Sequence, residues 1–252
     1  MKRLFAAAAI AAALVPSSFA ADYGKLTGQV ILNGDAPKLA PKVKKGSADV
    51  KDPQVCAAGE VINDELVVDS KSKGIANVFV YIKKVDAAKI HPDLKDPKPA
   101  EVVFDQKGCQ FVPHALVVRT DQTVIVKSDD AIQHNTHTFP RKQEGANFIV
   151  GASDRTGIKM PKFKSTESLP IEVKCDIHPW MRAWWLITDN PYAAITDTEG
   201  KFTIDKIPAG EHEVVVWQEM SGYIEKKVTV KITANGTTDL KQIKADAAKF
   251  KP

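Results

Sequence analysis

Leu169-Pro-Ile-Glu-Val-Lys174, then Cys175-Asp-Ile-His178-Pro-Trp-Met181, then Arg182-Ala-Trp-Trp-Leu-Ile-Thr188, reads as strand, loop and strand. Leu169–Lys174 is a β-branched run, and Ala183–Thr188 is a second apolar run of strand length. Trp184 and Trp185 must point to opposite faces of that second strand, so at least one belongs in a core. The loop sets a thiol, an imidazole and a thioether within seven residues, and Pro179 stiffens it by fixing one backbone dihedral. A hairpin that gathers three soft or borderline donors at one point is the feature around which the rest of the chain can be read.

Outward from this hairpin the pattern stays β. Short runs with period-two alternation or β-branched enrichment recur between Gly, Pro, Asn and Asp. Upstream, strands are expected at 25–32, 65–69, 77–82, 101–104, 115–118 and 123–127, and downstream at 192–195, 201–204, 211–217 and 226–232. Residues 36–55 and 86–100 read as loops rich in Lys and Pro, and 140–169 as a long polar excursion with a short strand at 148–150. The tail from Ala245 reads as frayed. Helical periodicity is scarce beyond residue 20, so the expected class is all-β, built from sandwiches.

The N-terminus suggests export. Lys2 and Arg3 precede an apolar, Ala-rich run from Leu4 to Pro16, and Ser18-Phe-Ala20 before Ala21 has the form of a cleavage site. Residues 1–20 read as a secretory signal peptide, with an uncleaved short anchor as the alternative. No later run is long and apolar enough to span a membrane. The expected location is the periplasm or another exported compartment. Lys and Arg number 35 against 31 Asp and Glu, two of the basic residues lying in the leader, so nucleic acid is not an expected partner. The lysines at 38, 42, 44 and 45 read as a solvated loop. Three cysteines leave one over after any pairing. With Cys175 in the donor loop, Cys56 and Cys109 are free to form a disulfide, which export permits; two buried free thiols are the other reading.

A thiolate, two imidazoles and a weak axial Met are the donors of a blue-copper site. The loop supplies Cys175, His178 and Met181, and Gln133-His134-Asn135-Thr136-His137 offers the second imidazole at His134. The Cys must lose its proton and the His must be neutral to bind the metal. Cys175-Asp-Ile-His178-Pro-Trp-Met181-Arg resembles the ligand loop of the amicyanin branch of the cupredoxins, which has the same Cys-x₂-His-x₂-Met spacing. His134-Asn-Thr-His137 is similar to that family's His-Asn-x-His segment. The resemblance covers roughly residues 100–190 and implies a Greek-key β-sandwich over 99–190. It also implies one type 1 copper held by His134, Cys175, His178 and Met181. Asn135 would then donate its backbone N–H near the thiolate sulfur, a contact that tunes a copper site's potential. The family's loop histidine reaches the surface, so the resemblance makes His178 the electron's exit, with Pro179, Trp180 and Met181 as apolar docking surface. Trp180 reads equally well as a rim residue shielding the metal. His114 and His137 read as ordinary core or surface histidines, and His91 and His212 as surface residues.

A second resemblance lies outside this block. Asp197-Thr-Glu-Gly-Lys-Phe-Thr-Ile204 and Ile207-Pro-Ala-Gly-Glu-His-Glu-Val214 look like the carboxypeptidase-regulatory or Cna-B type of β-sandwich, with its opening strands at Gly28-Gln-Val30 and Ile75–Val80. This implies a second, smaller sandwich split between 24–85 and 191–245 around the copper block. A simple tandem is the other arrangement.

The leading expectation is a periplasmic carrier of single electrons between redox partners, such as a c-type cytochrome or a dehydrogenase. Copper storage, delivery or sensing is the non-redox alternative, and a surface adhesion or carbohydrate-binding module the third. The zinc-deaminase, haem-attachment, nucleophile-elbow and phosphate-loop signatures are missing. Six histidines leave too few for a multicopper oxidase, so no enzymatic activity is expected.

Overall fold

The computed structural model describes residues 23–251. The leader expected at 1–20 lies outside the described residues. The described chain is all-β. In chain order it runs β1 (Tyr23–Asn33), α1 (Pro53–Cys56), β2 (Phe79–Ile82), β3 (Glu101–Gln106), β4 (Phe111–Val112), β5 (Ala115–Arg119), β6 (Thr123–Val126), β7 (His134–Phe139), β8 (Asn147–Val150), β9 (Ile158–Lys159), β10 (Ile171–Lys174), β11 (Arg182–Thr188), β12 (Ala193–Ile195), β13 (Lys201–Pro208), β14 (Gly210–Gln218), β15 (Gly222–Ile232) and β16 (Thr237–Asp246). No described helix is long and apolar enough to cross a membrane.

The strands form four sheets, ordered β4-β3-β6-β9, β5-β11-β10-β7-β8, β12-β2-β14-β15 and β13-β1-β16. Alternation along the strands shows how they stack. On β11, Ala183, Trp185 and Ile187 face a core shared with Phe104 and Val124 of the first sheet. The intervening Trp184 and Leu186 face the other way, into a layer with Phe79, Tyr81, Val215 and Trp217 of the third. Val80, Ile82, Val214 and Val216 then point from that third sheet into a core with Leu26, Val30, Phe202 and Ile204 of the fourth. β2, β11 and β14 are therefore covered on both faces, which is why they read as nearly continuous apolar runs. Both tryptophans of β11 pack into apolar layers, one on each side.

Strands from the two ends of the chain share sheets. β1 pairs antiparallel with β13 and parallel with β16, and β2 pairs with β12 and β14.

Four local expectations are corrected. Residues 65–69 hold only an isolated bridge between Val68 and Ile75, because Asn63 and Asp69 side chains bond neighbouring backbone N–H groups and turn the chain. β16 was not anticipated. Its alternation is broken at Lys241, whose φ is +55°, beside an irregularity in the β1 register. The tail does not fray: Phe250 is buried in the same core as Val30 and Ile243. The Lys-rich stretch also departs from expectation at Lys42, which is largely buried and reaches Asp64 at 2.8 Å.

Candidate metal centre

Topology brings the two donor segments together. β6 and β7 lie in facing sheets, so residues 127–133 cross from one to the other and deliver His134 as the first residue of β7. β7 is the antiparallel neighbour of β10, with His137 opposite Lys174. Continuing past Lys174, the chain brings Cys175 and its loop level with Asn135 and His134. Asn135 stitches the two segments: its Oδ1 accepts from the Asp176 N–H at 2.6 Å, and its Nδ2 donates to Asp176 at 2.9 Å. The loop closes on itself through Met181 N–H to His178 carbonyl at 2.9 Å and Cys175 N–H to Met181 carbonyl at 3.2 Å.

Ligand atoms of His134, Cys175 and His178 lie within 4.8 Å of one another, and all three residues are buried. The His134 and His178 Nδ1 atoms are 3.0 Å apart, and the Cys175 Sγ is 3.8 Å from the His178 Nδ1. The Asn135 backbone N–H points at the Cys175 Sγ at 3.4 Å. Met181 is buried in the same core cluster as Cys175.

Each imidazole is held from behind by a carboxylate. His134 Nε2 lies 2.8 Å from Asp130 Oδ2, and His178 Nε2 lies 3.0 Å from Asp52 Oδ2. An ionised carboxylate only accepts, so each Nε2 carries the proton and each Nδ1 turns a lone pair inward. Two such nitrogens 3.0 Å apart either share a proton or, beside a readily ionised sulfur, receive a metal cation between them. The protonation balance reflects this. Burial pushes the Cys175 thiol up, but the two imidazoles and the Asn135 N–H outweigh it and hold it down at about 6. Burial works against a charged His134, yet Asp130 and Cys175 outweigh it and lift the ring above its usual value. Asp130 is raised by burial but held below the usual carboxylate range by His134 and by the Cys109 and Gly108 N–H groups. The donor set, the ring orientations and the easily lost thiol proton all fit copper.

Other expected site residues fall in different places. His178 does not reach the surface: it is fully buried, because residues 43–61 fold over it and supply Asp52. Met181 is buried as well and offers no docking surface. Pro179 is exposed. Trp180 is half-buried, 5.3 Å from the His178 ring, with its indole N–H donating to the Cys109 carbonyl. His137 lies outside the ligand group and bonds Asp176 through Nδ1 at 3.0 Å. Cys56 and Cys109 are joined in a disulfide and Cys175 is free. Cys109, Asp130 and His134 also converge, but the disulfide removes the Cys109 sulfur as a ligand. Sequence reasoning missed both supporting carboxylates. Asp130 had a signal, four residues before His134; Asp52, 126 residues from His178, had none.

His114 also lies buried, away from this centre. It is 2.9 Å from Asp64 through Nδ1 and contacts Glu219 through Nε2, while Trp184 donates to Glu219 at 2.7 Å. Burial disfavours its charge, but the two carboxylates outweigh that and raise it to about 9.

A family model described as polysaccharide lyase family 4, domain II, matches residues 180–240. No curated protein matched the chain. Among solved structures, the chain is similar to a copper-containing nitrite reductase from Thermus scotoductus at 18% identity and a TM-score of 0.28, over 34% of this chain and 22% of that enzyme. It is similar to an amicyanin variant in its reduced state at 17% identity and a TM-score of 0.30, over 43% of this chain and 97% of amicyanin. It is also similar to a purple cupredoxin from Nitrosopumilus maritimus at 13% identity and a TM-score of 0.28, over 35% of this chain and 98% of that protein.

Proposed function

We propose that the chain is an exported type 1 copper protein that carries single electrons. His134 and His178 would hold the ion through Nδ1, Cys175 through Sγ, and Met181 as the weak axial donor. Bound copper would supply a one-electron couple. The observation that carries this reading is the inward pair of Nδ1 atoms, oriented by carboxylates on the opposite ring nitrogens, beside a buried thiol held at about 6.

The chain's own residues do the rest. The Asn135 N–H bonded to sulfur withdraws charge from the thiolate and sets the potential. Cys175 and His178 sit on a loop between strands, Pro179 stiffens it, and Asn135 ties it to β7, so the donors keep their places when the charge changes. Burial of all three donors excludes water and slows metal exchange, which favours a carrier over a protein that hands copper on. Trp180, half-buried beside His178, and exposed Pro179 form the proposed contact for a redox partner such as a c-type cytochrome or a dehydrogenase. The disulfide supports an oxidising, exported location. The pairing of β1 and β2 with strands beyond residue 190 supports a second sandwich made of 24–85 and 191–245 around the block 99–190.

Voltammetry of the copper-loaded protein in the presence of a Cu(I) chelator tests the role. A carrier shows a reversible one-electron wave and keeps its copper through repeated cycles. Loss of copper to the chelator on reduction would replace the carrier with a storage or delivery protein.

A further inference from the structure

His178 is closed off by a separately built piece of the chain. Val43 and Val61 bridge to each other, and with Ala57 they form a small apolar cluster against which Trp180 packs. Between them the backbone turns through Asp52 at a φ of +53° and enters α1, whose Val55 and Cys56 N–H groups bond the Asp52 carbonyl at 3.0 and 2.9 Å. Four residues beyond Asp52, Cys56 is bonded to Cys109. Cys109 and Gly108 donate their N–H groups to the Asp130 carboxylate at 2.8 and 2.6 Å, and Asp130 holds His134. One disulfide thus joins the two segments that hold the two imidazoles.

An aspartate in the left-handed region is uncommon. Here the strained turn aims its carboxylate at His178 Nε2, and the bridge, the disulfide and the Trp180 contact keep it there. We infer that Asp52 is a positioning residue for the metal centre. It fixes the His178 ring with Nδ1 inward, and its charge, passed through the imidazole, favours the oxidised metal. This rests on the copper reading above. A carboxylate behind a ligand imidazole orients the ring and raises its basicity. The carboxylate is about a quarter exposed, so its charge is only partly screened.

The experiment compares the full chain with Asp52→Asn, which keeps an acceptor and removes the charge, and with Asp52→Ala, which removes both. Two readouts are taken. In the copper-loaded proteins, redox titration should show the Cu(II)/Cu(I) partition moving at least tenfold toward Cu(I) in both variants, which is 59 mV for one electron. In the metal-free proteins, NMR should show an exchange-protected His178 Nε2–H in the parent that is lost in Asp52→Ala. A Cu(II)/Cu(I) partition within twofold of the parent's would overturn the electrostatic role, and an unchanged, protected Nε2–H in Asp52→Ala would overturn the positioning role. If the parent binds no copper with a thiolate band yet its Nε2–H protection depends on Asp52, the copper reading fails and the positioning of His178 stands.

Discussion

Single buried residues in this chain do work that their neighbours in sequence do not announce. His114 is the clearest case. It lies between Asp64 and Glu219, which come from different parts of the chain, and its pKa is raised from 6.5 to about 9. Between those values the folded protein holds a proton that the unfolded chain has released, so stability falls as pH rises through that window. Below about 6.5 the contribution is complete, on the order of 3 kcal/mol, and it is lost above about 9. In the parent the depressed Cys175 thiol, which adds stability as pH rises from about 6 to 9, opposes this decline, so chemical denaturation of the metal-free Cys175→Ser protein should show stability declining from pH 7 to pH 9.5. His114→Gln should be destabilised at pH 7, since it removes the cation between two largely buried carboxylates and leaves Asp64 with Lys42 and Glu219 with the Trp184 N–H, and should flatten that decline. A decline that persists unchanged in the variant would remove His114 as its cause. The grouping of His134, Cys175 and His178 was legible at this scale, because Cys175 and His178 are local and His134 opens its own strand. Asp52, Asp64 and Glu219 were not: a carboxylate paired across the fold looks, in sequence, like any solvated one.

Among the elements, the segment from Val43 to Val61 matters most to the centre and was the least visible. Its lysines and prolines read as a loop, and its one helical turn is only four residues long. What makes it a cover is long-range: a bridge, a disulfide and the face of Trp180. The disulfide spans 53 residues, for which chain entropy gives about 4 kcal/mol. Replacing both cysteines, Cys56→Ala with Cys109→Ala, should lower the unfolding free energy by roughly that amount in denaturant titrations. It should also speed copper loss to an external chelator, because the cover over His178 is released. A double variant with unchanged copper release would show that the segment does not close the site. β16 teaches the same lesson from the other direction. Its inward residues Ile243 and Ala245 alternate properly, but the irregularity near Lys241 hides the strand from a period-two reading.

Across the whole molecule, four sheets share three apolar layers, and the middle layer joins the block bearing the metal centre to the strands of the chain's two ends. Trp217 anchors that layer, 5.0 Å from Trp184 and 5.9 Å from Phe79 by ring centroids. The intact protein should show one calorimetric transition. Trp217→Ala should cost about 3–5 kcal/mol and separate the melting of the two halves. A single transition at an unchanged temperature would show that the middle layer does not couple them. The all-β class was legible from alternation and turn residues throughout. The stacking was not, because β2, β11 and β14 are covered on both faces and a continuous apolar run does not say which neighbour covers which side.

The metal centre is what the whole fold serves. The measurement is the visible and EPR spectrum of the protein loaded with Cu(II), beside Cys175→Ser. The account predicts an intense thiolate-to-copper charge-transfer band in the parent that disappears in the variant. A pale protein with ordinary Cu(II) signals, the same in both, would contradict it.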